Sequence, residues 1–127
     1  MITITVNNLL NTVPVLRELV NKPFKGSVAF KLARLVRELD KENSLFEEAR
    51  ANLAQKYCDR DENGEPIILE NGLIKLQEDK IDECNEELSN LLSSQLEIVA
   101  EKIPISAFDD IELTPSQMIV IEDLIEY

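Results

Sequence analysis

The chain has 127 residues, 44% of them apolar, and carries 25 acids against 13 Lys and Arg, a formal net charge of −12. That length and apolar share suit one core, so a single α-rich domain over residues 1–127 is expected. No run approaches the ~18 to 20 apolar residues of a membrane span, and the opening MITITVNN has neither the basic start nor the apolar run of a signal peptide, which together point to a soluble intracellular protein.

In chain order, Ile2, Ile4 and Val6 alternate with Thr3 and Thr5, a period of two in β-branched residues that predicts one short, half-buried strand. The period then changes. Leu9, Leu10, Val13, Leu16, Leu19 and Val20 predict a helix capped by Asn7 or Asn8, with Pro14 bending it or confined to its first turn. The run from Asn21 to Gly26, with Pro23 inside it, ends that helix.

From Ser27 to about Tyr57 there is neither proline nor glycine. Leu32, Leu35, Leu39, Phe46, Ala49 and Leu53 recur at spacings of three and four, with Glu42 standing where the next apolar residue is due. This predicts a long central helix of roughly 45 Å, more than a compact domain of this size covers by itself. Val28, Phe30, Ala33 and Val36 widen the stripe in its first half, where the N-terminal strand and helix are expected to pack. Lys31, Arg34, Arg37 and Lys41 form a basic cluster beside it, balanced by Glu38, Asp40 and Glu42 as surface pairs.

Residues 59–70, DRDENGEPIILE, fit the calcium-loop pattern D-x-[DN]-x-[DN]-G-x5-E at every specified position. In such a loop the oxygens come from Asp59, Asp61, Asn63, the backbone of Glu65 and a bidentate Glu70, with Gly64 at the sharp turn. An exiting helix should follow, but Asn71 and Gly72 form a turn signal there, and Pro66 removes a backbone N–H within the loop. Glu-Asn-Gly occurs at 62–64 and again at 70–72, and the second copy is flanked by the apolar runs 66–69 and 73–76. That is the pattern of a small β-hairpin, which would extend residues 65–70 away from Asp59 and Asp61. The hairpin is the expected outcome, with no metal or cofactor site.

An acidic third helix is predicted from about Glu78 to Gln95, with Ile81, Cys84, Leu88, Leu91 and Leu92 on one face and Glu78, Asp79, Asp82, Glu83, Glu86 and Glu87 largely on the other. Acids in its first turns complement the helix dipole. Leu96 to Val99 predict a strand that could pair with residues 2–6. After Pro104 comes an irregular link, then Thr114 as cap and Pro115 at the first position of a short closing helix carrying Met118, Ile119, Ile121, Leu124 and Ile125. The fold class is therefore mainly α with a small β component.

Charge is uneven: residues 1–60 hold ten basic and seven acidic side chains, net +3, whereas residues 61–127 hold three and eighteen, net −15. The acidic half repels phosphate backbones and favours a basic partner or simple solubility. There is no histidine, which removes the commonest general base near neutral pH. Cys58 and Cys84 lack metal-ligand spacing and read as reduced thiols. Carboxylate pairs such as Glu83 with Glu86 or Glu87, and Asp109 with Asp110, arise by chance at this acid density, and Tyr57 and Tyr127 read as a core edge and a terminal residue. No enzyme, small-molecule substrate, nucleic-acid or membrane partner is expected.

The segments Lys31-Leu32-Ala33-Arg34-Leu35, Phe46-Glu47-Glu48-Ala49-Arg50, Lys56-Tyr57 with Asp61-Glu62-Asn63-Gly64, Asn85-Glu86-Glu87-Leu88 and Leu113-Thr114-Pro115-Ser116 carry a resemblance. In these segments and in its order of elements, the chain resembles a family of small uncharacterised proteins encoded by tailed bacteriophages and prophages, mainly of Gram-positive hosts. The resemblance implies a phage gene product in the host cytoplasm or in the virion and implies no catalytic residues. With the uncovered central helix, it leads to an expectation of a non-enzymatic accessory protein that acts through protein partners or self-association, as a virion component or assembly factor. Two alternatives remain open: an acidic inhibitor of bacterial defence that mimics nucleic-acid charge, and a calcium-binding loop protein.

Overall fold

Strand β1 spans Ile2–Thr5 and runs directly into helix α1, Val6–Leu19. The computed structural model describes residues 1–127. Thr5, rather than Asn7 or Asn8, caps α1, its Oγ1 accepting the Asn8 amide at 3.1 Å. The reason is Val6, whose apolar side chain is buried as the first helical residue and leaves Thr5 as the last extended one. Pro14 lies inside α1, where it cannot donate to the carbonyl of residue 10.

Helix α2, Gly26–Tyr57, is the long helix, with 32 residues. Helix α3, Ile81–Ser93, follows a 3₁₀ turn at Glu78–Lys80, and strand β2, Gln95–Ile98, follows α3. Strand β3 is Ile103–Pro104, helix α4 is Pro115–Ile121, and strand β4 is Ile125–Glu126. The architecture is thus mainly α with a small β component. No helix is long and apolar enough to cross a membrane.

The chain gathers into two compact units: residues 1–44 with 93–127, and residues 45–92. The division falls on α2 just after Glu42, the position at which its apolar seam is interrupted. Leu39 belongs to the first unit and Phe46 to the second.

In the first unit β1 and β2 pair antiparallel with Ile2 opposite Ile98 and Ile4 opposite Leu96. Alternation places Ile2, Ile4 and Ile98 on the buried face. They meet Leu9 and Leu16 of α1 and Leu35 of α2 in one cluster. The closing helix expected to carry Leu124 and Ile125 stops at Ile121; Glu122–Leu124 is a 3₁₀ turn, and Ile125 lies instead in β4, which pairs in parallel with β3, Ile103 beside Ile125, burying both side chains. Thr114 caps α4 in a capping box with Gln117, each side chain bonded to the other's backbone amide at 2.9 and 3.2 Å. Ile121, Leu124 and Ile125 are buried, but Ile119 is 65% exposed. Phe30 departs further from expectation. It faces outward, 65% exposed, with Ala33 on the same side. Of α2, Leu32, Leu35 and Leu39 enter the core, with Val28 and Val36 packed partly buried against it.

The second unit consists of the C-terminal part of α2, the segment 58–80, and α3 as far as Leu92. Its core is thin. Of 48 residues, only Phe46, Tyr57, Cys58 and Cys84 are buried apolar side chains, against sixteen among the 79 of the first unit. Both cysteines are free, and the Cys58 thiol donates to the Gln55 carbonyl at 3.2 Å.

Candidate functional site

The site is built on the segment between α2 and α3, whose backbone follows a period of eight. Asp59 N donates to Lys75 O at 2.8 Å, Lys75 N to Ile67 O at 2.8 Å, and Ile67 N to Asp59 O at 3.0 Å, closing a ring through three legs. A second layer repeats the spacing, with Asp61 N bonded to Glu65 O, Leu69 N to Leu73 O, and Gln77 N to Tyr57 O. Each leg ends in a turn of the same kind: Gly64 N to Asp61 O, Gly72 N to Leu69 O, Lys80 N to Gln77 O. The result has approximate three-fold symmetry. Gly64 and Gly72 sit at φ +79° and +84°, the left-handed region that glycine enters without strain. The third turn carries Lys80 instead and continues into α3. The sequence signal for this arrangement is the recurrence of Glu62-Asn63-Gly64, Glu70-Asn71-Gly72 and Glu78-Asp79-Lys80 at intervals of eight, whose third, glycine-free copy is easily overlooked.

The expected hairpin is present, with Ile68 bridging Ile74 around Asn71 and Gly72. It is one of three equivalent legs rather than a free ribbon. The expectation that residues 65–70 run away from the two aspartates is therefore corrected. Glu65 turns back onto Asp61, its amide bonded to Asp61 Oδ1 at 3.1 Å, and Pro66 bridges Arg60. The reason is the Asp61 side chain, which takes the amides of both Asn63 and Glu65 and makes the first turn tight.

Those same bonds decide what the calcium-type residues do. Asp59 accepts the Arg60 amide at 3.0 Å and pairs with Lys75 Nζ at 3.6 Å. Asp61 holds backbone amides, the Asn63 side chain is exposed, and Glu70 stands at the next turn. No group of three or more His, Cys, Asp or Glu side chains converges where it could hold a metal ion. The carboxylates of α3 are likewise spread: Glu83 pairs with Lys80 at 3.5 Å, Glu87 with Lys56 at 3.0 Å, and Glu86 is exposed. Asp109 and Asp110 are both exposed, as is Tyr127, while Tyr57 is buried under Lys56, whose Nζ lies 5.0 Å from the ring centroid.

What the unit does offer is an open apolar groove of about 490 Å³. It is lined by Glu47, Arg50, Ala51 and Ala54 of α2, by Leu73 and Ile74 of the hairpin, and by Cys84 and Leu88 of α3. Leu73 at its lip is 63% exposed. The charged residues lining the groove are Glu47 and Arg50, which pair with each other, while the charge of the unit as a whole is one-sided. Residues 45–92 hold thirteen acids and five bases, net −8. Four of the bases are paired with Glu47, Asp59, Glu83 and Glu87, and the Arg60 guanidinium donates to the carbonyls of Gly64 and Gln55. Nine carboxylates are left without an ion pair. The Lys56 and Glu87 pair shifts both groups, the hydrogen bond to Glu87 holding the ammonium above its ordinary value of 10.5 and the same bond holding the carboxyl below 4.5.

Chemically, this arrangement offers an apolar surface bordered by one ion pair, Glu47 with Arg50. Closure of the three legs also leaves no open strand edge at their centre, so recognition by strand addition is disfavoured against side-chain docking in the groove. Searches among protein family models, curated protein sequences and solved structures find no match to this chain.

Proposed function

We propose that this is a non-catalytic accessory protein of a tailed phage or prophage that works by binding protein, as a virion component or an assembly factor, in the host cytoplasm or in the particle. The observation that carries the binding role is the groove of residues 45–92. A unit with four buried apolar side chains leaves Leu73 and the alanines of α2 uncovered, and apolar surface of this kind beside charged rims marks interaction sites. The phage setting rests on the five sequence segments given above.

The test is affinity capture of the tagged protein from infected cells, comparing wild type with Leu73→Lys. Recovery of a phage structural or assembly protein by wild type, lost in the variant, supports the role. A protein that stays monomeric and recovers nothing overturns it.

A second reading is favoured by the nine unpaired carboxylates of residues 45–92: docking in the basic channel of a defence nuclease in place of nucleic acid. It requires binding to such a nuclease that weakens steeply as salt rises, and fails without it.

A further inference from the structure

The two units differ in what holds each together. Every member of the core cluster comes from residues 1–44 and 93–127, so the second unit rests on its own four buried apolar side chains, one residue in twelve against about one in five in the first. Conformational entropy is lost at every residue that is ordered, and burial offsets it less here. At 48 residues the unit is close to the size below which disulfides, metals or a partner are usually needed. It has no such staple: both cysteines are free, and no acids or thiols converge on a metal. Its weakest part follows α2. Segment 58–80 is closed by three isolated bridges rather than a continuous ladder, and α3 buries Cys84 alone among its thirteen residues. Residues 58–92 also hold eleven acids against three bases, net −8, and their mutual repulsion favours an expanded chain.

We propose that residues 58–92 open as a separate unit, unfolding from the second half of α2 while the first unit stays folded. The order of the chain permits this. The segment lies between the end of α2 and β2, so opening lengthens a loop without breaking the pairing of β1 with β2, and the entropy of closing a loop grows only slowly with its length. The second half of α2 meanwhile continues a helix already nucleated by its first half, which Leu32, Leu35 and Leu39 anchor in the core. Opening has a direct consequence for the groove. Leu73, Ile74, Cys84 and Leu88 leave with the segment, so the groove exists only in the closed state, and a protein seated in it holds the segment shut by mass action. That regulation of the groove rests on the protein-binding reading above; the opening itself does not.

Native-state hydrogen exchange and thiol labelling of the full chain test this. Cys58 and Cys84 are the only cysteines, so N-ethylmaleimide reads this segment alone, and Cys58, 1% exposed, reads its opening. The helical amides of α3 should be at least ~100-fold less protected than those of α1, and Cys58 should be labelled while α1 remains protected. Ile121→Val trims a buried methyl group from the first unit. It should lower the protection of α1 about 2- to 10-fold and leave α3 exchange and Cys58 labelling unchanged. Equal protection of α1 and α3, or an effect of Ile121→Val of the same size on both, means one cooperative unit and overturns the proposal. Labelling confined to Cys84, which lines the groove, overturns it too. If the segment stays shut yet a phage protein is captured through Leu73, the opening is wrong and the protein-binding role stands. If it opens and nothing is captured, the opening stands and that role falls.

Discussion

Lys56 at the end of α2 lies 3.0 Å from Glu87 on α3, and this ion pair ties the two helices together beside the closed turn segment. Both side chains are substantially exposed, so the pair adjusts stability rather than creating it. Glu87 is held below 4.5, so its contribution is present above that value and is lost as pH falls through the lowered value. Lys56 is raised above 10.5, so its contribution is present below that value and is lost as pH rises through the raised one. Melting curves of Glu87→Gln should therefore fall below wild type at neutral pH and converge with it in acid. A constant difference across the acid range would refute this.

Gly64 and Gly72 have positive φ, and a Cβ built at either meets nothing within 4 Å. Any cost of alanine there is therefore a backbone cost, about 1 to 2 kcal/mol at each position. Gly26 has equally open space and no positive φ, so Gly26→Ala at the start of α2 should be neutral or stabilising by up to about 1 kcal/mol. Chemical denaturation of the three variants checks the contrast.

Leu35 is fully buried and Phe30 is not, although both belonged to the apolar stripe expected of the same helix. Leu35→Ala should cost about 2 to 5 kcal/mol. Phe30→Ala should stay within about 0.5 kcal/mol of wild type in stability. Equal losses would mean that Phe30 is covered within its own chain.

Thr114 caps α4 and shares its box with Gln117. Thr114→Ala should lower stability by about 0.5 to 2 kcal/mol, whereas Thr114→Ser, which keeps the hydroxyl, should recover most of it.

Calcium titration should give no heat beyond dilution and no shift in melting temperature, because Asp61 already binds two amides and Asp59 pairs with Lys75. Heat release abolished by Glu70→Ala would show instead that the loop rearranges around the ion.

Local periodicity was enough to read most of the fold. Alternation at Ile2 and Ile4, three-and-four spacing from Leu32 to Leu53, and the Thr114-Pro115 start are near-neighbour patterns, and helices and strands are near-neighbour structures. The candidate groove was hidden because its walls come from residues ~20 to 40 apart in sequence, on α2, a hairpin and α3. The ring through Asp59, Ile67 and Lys75 was hidden for a different reason. Backbone bonds carry no side-chain signature, and the period of eight shows only at the two glycine turns and in the glycine-free third copy at 78–80.

The order of residues settled the helices, the strand that opens the chain, the absence of histidine and the imbalance of charge, all of which depend on identity and spacing alone. Packing settled which part of each apolar stripe was covered. Leu35 and Phe30 lie five residues apart on one helix and were indistinguishable as hydrophobic positions, yet one is buried in the core cluster while the other faces water. Burial is a property of what lies opposite a side chain, and that neighbour is supplied by distant segments of the chain.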